Sequence, residues 1–365
     1  MTLVGIVGGG QLGMMLAEAG ARIGIDCLTL DPAPDSPASR VGPTIVADYD
    51  DETALAGLAA AADVVTYEFE NVPVASARFL AERVQVFPPP ESLEFAQDRL
   101  LEKTLFEDVG LAVAPFSPVS SKEELFEALE VIGVPSVLKT RRLGYDGKGQ
   151  VRLGSVDEPE DAWRTVGEVP SILESVVPFE RELSILGVRG KDGKAAFYPL
   201  VQNVHRDGIL RVSIAPAPDV TPKLRAKAER HALAVMERLG HVGVLAIELF
   251  AMGEELLGNE MAPRVHNSGH WTIEGAVTSQ FENHLRAICG LELGPTSPSA
   301  YSAMVNLIGS VPPKGSFDDQ PGVHLHLYGK ASRPGRKLGH ATVIGPDADT
   351  RDRVLGRVTQ TADKK

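Results

Sequence analysis

Cysteine is scarce in this chain: Cys27 and Cys289 are the two it has, far apart in a sequence of 365 residues. That argues against a disulfide framework or a cysteine metal site and suits a reducing cytoplasm. No apolar run approaches the roughly 18 residues that would suggest a membrane span. The opening segment Leu3-Val4-Gly5-Ile6-Val7 has no basic stretch or cleavage site before it, so it reads as the first strand of a fold. Basic residues are outnumbered, 36 Lys and Arg against 49 Asp and Glu, and the net charge of −13 disfavours general affinity for nucleic acid. Anionic small substrates stay open, because the cations cluster locally. There is no internal repeat and no low-complexity tract.

Present in ordinary measure are hydrophobic residues at 43% and charged residues at 23%, enough for a sizeable core. The length predicts two or three domains. Strand-like runs at 3–7, 27–30, 64–67 and 84–87 alternate with helical periodicity at 11–24, 52–61 and 74–83, which predicts a parallel, doubly wound sheet. Pro88-Pro89-Pro90 then marks a boundary. A helix is expected from Glu91 through Gln97-Asp98-Arg99 to Gly110, and a smaller α/β unit from 115 to about 175. Longer strands follow at 183–189, 195–201, 209–214 and 242–250, with helices at 222–239 and 277–289. The last 70 residues read as β-rich.

The densest local signal is Lys139-Thr140-Arg141-Arg142-Leu143-Gly144-Tyr145-Asp146-Gly147-Lys148-Gly149-Gln150, following the apolar run Pro135–Leu138. Glycines allow close approach of backbone N–H groups, and with Lys and Arg they suit a polyanion. No Lys-Ser/Thr pair follows the glycines, so this is not the G-x-x-x-x-G-K-[ST] loop. A flexible basic turn is the plainer alternative.

Gly8-Gly9-Gly10-Gln11-Leu12-Gly13 fits G-x-G-x-x-G between a strand and a helix, and Asp31 ends the second strand. A dinucleotide site is one reading. The same turn also occurs in α/β domains that bind no dinucleotide, and no hydride-transfer site follows it.

Glu248 and Glu260 flank the turn Ala251-Met252-Gly253-Glu254 almost symmetrically, so a hairpin would set them face to face. Facing carboxylates repel unless compensated, and Mg2+ is the natural compensator. The alternative is that one of them faces solvent. Asn259 offers a neutral oxygen or a phosphate contact. Immediately downstream, Arg264, His266, Asn267 and Ser268 concentrate donors suited to a small anion. His266 and His270 are a poor zinc pair, because Ser268 and Gly269 between them disfavour a helix. Glu174-Ser175-Val176-Val177 followed by Glu180 and Glu182 could meet a purine edge and a ribose, or be a solvated linker. The basic run Lys330–Lys337 is a phosphate clamp or a solvated loop.

Taken together these runs resemble the ATP-grasp superfamily and, within it, the 5-(carboxyamino)imidazole ribonucleotide synthase family of purine biosynthesis. The matching stretches are GGGQLG at 8–13, TYEFENV at 66–72, QDR at 97–99, KTRRLGYDGKGQ at 139–150, VPFERELS at 177–184, NEMAPRVHNSGHWTIEGA at 259–276, TSQFENHLRA at 278–287 and RPGRKLGH at 333–340. They span nearly the whole chain, and the flap and the 259–287 stretch are specific to this family among ATP-grasp ligases. Met14 departs from the pattern, where relatives commonly carry Arg. The tail after 345 carries no motif.

The resemblance implies an ATP-grasp fold: a Rossmann-like domain at 1–98, an ATP-grasp domain at 99–295 with a mobile lid at about 115–175, and a small β-rich domain at 296–365. It implies ATP-dependent carboxylation of 5-aminoimidazole ribonucleotide by bicarbonate through carboxyphosphate. For ATP it implies Arg99, Lys139, the flap Gly144, Tyr145, Asp146, Gly147, Lys148, Gly149 and Gln150, then Glu174, Ser175, Val176, Val177, Glu182, His205, Asn259 and Glu260. Glu248 and Glu260 would carry Mg2+. Arg264, His266 and Asn267 would orient bicarbonate, with Asp146 as a helper to the amine. The ribonucleotide would meet Gln11, Glu70, Tyr145, Asp146, Lys330 and Arg336. A cytoplasmic homodimer is implied as well. Rivals are a formate-dependent transformylase of the same fold, a nucleotide-binding oxidoreductase built on the first glycine turn, and a non-catalytic ATP-binding regulator.

Overall fold

Strand Leu3–Val7 pairs in parallel with Asp26–Asp31 on one side and Val64–Tyr67 on the other, and Thr44–Val46 completes a four-stranded sheet. The computed structural model describes residues 2–144, 148–155 and 159–363. These short strands are apolar throughout because both faces are covered. On one face Val4 and Ile6 meet Leu12, Met15 and Leu16 of helix Gln11–Arg22 and Phe281 and Leu285 of helix Gln280–Cys289. On the other, Val7, Leu30 and Val65 meet Leu55, Leu58 and Leu80 of helices Glu52–Ala61 and Val74–Ala81. The doubly wound arrangement expected from the alternation is present. The strand expected at 84–87 is reduced to one parallel bridge, Val65 to Val86.

The fold brings the two cysteines to the same apolar cluster as free thiols, and burial pushes Cys27 up to about 12 and Cys289 up to about 11. Met14 is buried in that cluster too, so the departure at this position sits in the core beside the glycine turn.

The single helix expected from Glu91 to Gly110 is two: Pro90–Gln97 and Arg99–Asp108. The break falls on Asp98, whose backbone is extended (φ −128°, ψ 108°) and whose side chain caps the second helix by accepting from Leu100 N–H. The helix expected from 277 starts at Gln280 behind the cap Ser279, because Val277 N–H is engaged by Ser297 carbonyl.

The lid unit is a four-stranded antiparallel sheet in the order Phe116–Val119, Ser171–Ser175, Ser136–Thr140, Gln150–Leu153. Helices Lys122–Ile132 and Pro159–Thr165 cover one face through Leu125, Leu129 and Trp163. The basic glycine flap connects the inner strand Ser136–Thr140 to the edge strand Gln150–Leu153, with Lys139 opposite Gln150.

The largest sheet has nine strands. Its order runs Glu255–Ala262, Gly243–Met252, Arg181–Arg189, Val201–Arg206, Ile209–Ala215, Tyr301–Ile308, Lys337–Gly345, Val323–Leu327, with Ala195–Phe197 beside Arg181–Arg189. The run expected as one strand at 195–201 is therefore split. Tyr301–Ile308, Lys337–Gly345 and Val323–Leu327 extend the central sheet, so the β-rich end of the chain shares its hydrogen-bond ladder. The motif-free tail after 345 is helix Ala348–Ala362, packed by Val354 and Val358 against Ala303, Val305 and Val343. Among the described residues no helix is long and apolar enough to cross a membrane.

Candidate active site

A cavity of about 440 Å³ opens where the three sheets meet. That is within the usual range for small-molecule sites, ~300–1,000 Å³. Its wall takes Gln11, Glu68 and Glu70 from the first sheet's loops, Arg99 and Glu102 from helix Arg99–Asp108, Arg141 and Gly144 from the lid, Lys330 from the loop before strand Lys337–Gly345, and Lys337 from that strand. The central sheet supplies His205, Glu248 and Glu260, and the segment that leaves its strand Glu255–Ala262 supplies Arg264, His266 and Asn267.

The hairpin does what its symmetry predicts: Glu248 is the direct register partner of Glu260. Burial and the facing Glu260 push Glu248 up to about 7, against weaker relief from His205. Glu260 goes the other way. Burial opposes its charge, but Arg99, at 3.3 Å, and Lys139 hold it below the usual carboxylate range. Behind the pair, Glu102 accepts Met261 N–H at 2.6 Å and is pushed up to about 8 by burial and by Glu260. Among the described residues no group of three or more His, Cys, Asp or Glu could hold a metal by itself. Two opposed carboxylates on a cavity wall nevertheless fit Mg2+, which takes one or two protein carboxylates and completes its shell with water and substrate phosphates. The strand bulges after Glu248, leaving Asn259 without a register partner. Asn259 is not in the cavity wall, and its carbonyl accepts Lys103 Nζ at 2.9 Å.

Arg264 is held by Glu70, with Nε 2.5 Å from Oε2, and by Val265 carbonyl at 2.8 Å. His266 Nε2 lies 3.6 Å from Glu248 Oε1. Burial first and Arg264 second hold His266 well below the usual histidine range, so its ring is neutral. Asn267 Nδ2 is buried without a hydrogen-bond partner. An orphaned donor in a cavity wall is the expected mark of a missing acceptor. Lys330 Nζ contacts Gln11 Oε1 across the cavity.

Other expected residues stand back from the wall. Lys139 Nζ pairs with Glu174 Oε2 at 3.0 Å, and buried Lys103 approaches the same oxygen at 3.5 Å. Burial opposes Glu174's charge, yet Lys103 and Lys139 hold it down to about 2. Ser175 and Val176 N–H groups bond the Pro115 and Pro135 carbonyls, and with Val177 they lie outside the wall. Glu182 Oε2 is 2.6 Å from His205 Nδ1, a contact that raises the His205 pKa in spite of burial. Arg336 bonds Ala331 carbonyl at 3.3 Å, and its neighbour Lys337 is the one in the wall. Gly149 carbonyl accepts Thr140 N–H at 2.8 Å, and exposed Lys148, Gly149 and Gln150 lie outside the wall. Tyr145, Asp146 and Gly147 lie outside the described residues.

The first glycine turn has a different character from its motif. Gly9 N–H donates to Asp31 at 2.7 Å, and Gly10, Leu12 and Gly13 N–H groups donate to Glu68 at 2.9, 3.1 and 3.1 Å. The helix N-terminus that would grip a diphosphate already holds a protein carboxylate. Asp31 also accepts from Tyr49 at 2.8 Å, so it is not poised for a ribose. Sequence reasoning missed Glu68, Glu102 and Lys103, whereas Arg141 lay within the basic flap it singled out. Lys103 had a signal, since it lies four residues after Arg99 and so on the same helix face.

Three family models cover the chain in order: a ribonucleotide synthetase preATP-grasp domain at 1–97, an ATP-grasp domain at 104–281 and a phosphoribosylaminoimidazole carboxylase C-terminal domain at 302–353. A curated N5-carboxyaminoimidazole ribonucleotide synthase of Pseudomonas aeruginosa is 50% identical over 95% of this chain and 96% of its own length. The chain belongs to the N5-carboxyaminoimidazole ribonucleotide synthase family. The crystal structure of the synthetase from Thermus thermophilus superposes with a TM-score of 0.95 at 52% identity, covering 99% of each chain. The synthase from Aspergillus clavatus, solved in complex with ADP and 5-aminoimidazole ribonucleotide, has a TM-score of 0.91 at 31% identity over 99% of this chain and 98% of its own. The family and the fold implied by the sequence motifs are borne out, and the chain is an ATP-grasp ligase.

Proposed function

We propose that this chain carboxylates 5-aminoimidazole ribonucleotide with bicarbonate and ATP, yielding N5-carboxyaminoimidazole ribonucleotide, ADP and phosphate in purine biosynthesis. The observation that carries the reading is the convergence on one cavity wall of the facing pair Glu248/Glu260, the Arg264–His266–Asn267 cluster and the Gln11/Lys330 contact. Few other chemistries need an anion-binding cluster between a paired-carboxylate site and a second cationic wall.

Arg99 and Lys139, both braced by carboxylates, hold the ATP phosphates, with the flap Gly144–Gln150 closing over them. Glu174–Val177, Glu182, His205 and Asn259 take the remainder of the nucleotide. Glu248 and Glu260 would hold Mg2+, which supplies neutralisation of the charge on the transferring phosphoryl group. A bicarbonate oxygen attacks the γ-phosphorus and ADP leaves, giving carboxyphosphate. Arg264, His266 and Asn267 orient bicarbonate and stabilise that mixed anhydride through preset donors. The exocyclic amine of the ribonucleotide then attacks the carboxyl carbon, phosphate departs, and Asp146 takes the amine proton. Gln11, Glu70 and Tyr145 place the aminoimidazole, while Lys330 and Arg336 bind its phosphate. Carboxyphosphate hydrolyses readily, so the lid shields it from water. The enzyme acts as a homodimer in the cytoplasm.

Phosphate release from ATP is the test, run with and without the ribonucleotide in bicarbonate-depleted and bicarbonate-supplemented buffer. Release that depends on both supports the reading. Release indifferent to the ribonucleotide, or supported by formate in place of bicarbonate, overturns it.

A further inference from the structure

Behind His266 lies a run of buried polar groups that the proposed reaction leaves without a role. Ser213, Asn203, Ser184 and Ser268 are each at most 4% exposed. Ser213 and Asn203 are register partners on neighbouring strands, and Ser184 stands directly opposite Glu248 on the next pair. The Ser213 hydroxyl donates to Asn203 Oδ1 at 2.8 Å, Asn203 Nδ2 donates to Ser184 Oγ at 3.1 Å, and Ser184 Oγ donates to Ser268 Oγ at 2.8 Å. Ser268 Oγ lies 2.9 Å from His266 Nδ1. Polar side chains this deep in a sheet are costly unless each is satisfied, and here each finds a partner in a single chain.

One bond fixes the direction of that chain. A backbone N–H can only donate, and Ser268 N–H points at His266 Nδ1 from 3.3 Å. Nδ1 is therefore the bare nitrogen, and a neutral ring carries its hydrogen on Nε2. The Ser268 hydroxyl receives from Ser184, so its own hydrogen is left for Nδ1. Every donor then points the same way, from Ser213 to the imidazole. At the far side of the ring, Nε2 faces Glu248 and the cavity.

We propose that Ser213, Asn203, Ser184 and Ser268 are positioning residues that lock His266 in the Nε2–H form, so that it meets the ligand in the cavity as a hydrogen-bond donor and not as a proton acceptor. The opposite tautomer would turn a lone pair towards a charged bicarbonate oxygen, which is repulsive. The proposal rests on the carboxylation reading for what the donor meets, but the lock itself is a property of the folded chain. Outer partners that orient a functional histidine in this way are typically worth ~10–100-fold in affinity or activity.

The test is a two-bond proton–nitrogen correlation spectrum of the full-length enzyme with nitrogen-15 histidine, the His266 signals being assigned by their loss in His266→Gln. The expected spectrum has Nδ1 bare and Nε2 protonated. Ser268→Ala keeps the backbone N–H but removes the hydroxyl donor, so it should weaken the preference for the Nε2–H form and lower kcat by up to ~10–100-fold with the KM for ATP unchanged, and Ser184→Ala should do the same to a smaller degree. Both remove one oxygen from a small side chain, and circular dichroism checks that the fold is retained. A protonated Nδ1 in the wild type overturns the proposal, as does a fall in kcat with no change of tautomer or a change of tautomer with no fall in kcat. The expected spectrum in an enzyme lacking ribonucleotide-dependent phosphate release would overturn the reaction and support the lock.

Discussion

Two groups of acid lie at or beside the same cavity, and the fold treats them in opposite ways. Glu68 accepts three backbone N–H groups of the first glycine turn, and Asp31 accepts Gly9 and Ala33 N–H and the Tyr49 hydroxyl. At the hairpin, Glu248 and Glu260 stand face to face, with Arg99 at 3.3 Å from one and a neutral histidine at 3.6 Å from the other. The first group is satisfied by the chain itself and does structural work. The second is kept in an arrangement that costs free energy until a cation and an anionic substrate arrive. Glycine spacing alone suggested the reverse assignment, with the nucleotide at the first turn.

The widest separation between the two groups comes from removing charge at the hairpin. Glu248→Gln should lower phosphate release ~10²–10³-fold, the usual cost of losing one electrostatic contact to a reacting phosphoryl or oxyanion group. It should not lower stability, because it relieves repulsion between facing carboxylates. The sign with pH follows. The folded state holds the Glu248 proton up to about 7. An unfolded carboxyl releases it near ~4.3. Wild-type stability without added metal therefore falls, relative to Glu248→Gln, as pH rises through that window, by on the order of 3 kcal/mol in total. Thermal melts of both proteins in chelator between pH 5 and 8 check this. A variant that is active, or one that melts well below the wild type at pH 8, would place Glu248 with the structural acids.

The hairpin was readable in the sequence because its logic is local: two carboxylates equidistant from a turn must meet if strands form on either side. The Arg264–Asn267 cluster was readable because it follows that strand directly. Glu68 was not, since it caps a helix more than fifty residues before it, and no periodicity reports such a contact. The break at Asp98 was hidden for a similar reason. The apolar pattern continues through it, while the partners that hold Asp98 there are a pair of arginines from the lid, Arg141 and Arg142. Nor could composition reveal that the C-terminal strands would join the central ladder, because that pairing connects Tyr301–Ile308 to Ile209–Ala215 across some ninety residues.

A smaller effect is expected at the satisfied group. Glu68→Ala leaves the N–H groups of Gly10, Leu12 and Gly13 facing a void, and buried donors without partners cost on the order of 2–3 kcal/mol. Urea unfolding should show a lower midpoint with an unchanged slope. Turnover per folded molecule should change far less than in Glu248→Gln, because no reacting atom loses a charge partner. A stable but inactive Glu68→Ala protein would mean that this acid belongs to the chemistry after all.

The smallest effect tests the seam between lid and body, where satisfied and functional charges touch. Asp98 caps helix Arg99–Asp108 through Leu100 N–H at 3.1 Å while binding Arg141 at 2.7 Å and Arg142 at 3.1 Å. Asp98→Asn keeps an oxygen for the cap, since Asn caps as well as Asp, and removes only the charge. Burial works against that charge, but the two arginines hold the Asp98 carboxyl below its ordinary range. Its contribution is therefore present above the ordinary aspartate pKa and fades as pH falls through the depressed one. At neutral pH the loss should be ~1 kcal/mol, because Arg142 is largely in water and screened. The lid base should loosen, giving a severalfold higher KM for ATP with kcat nearly unchanged. If instead kcat fell with KM constant, Asp98 would be acting on the closed complex through Arg99, and the seam would have to be counted as part of the active site.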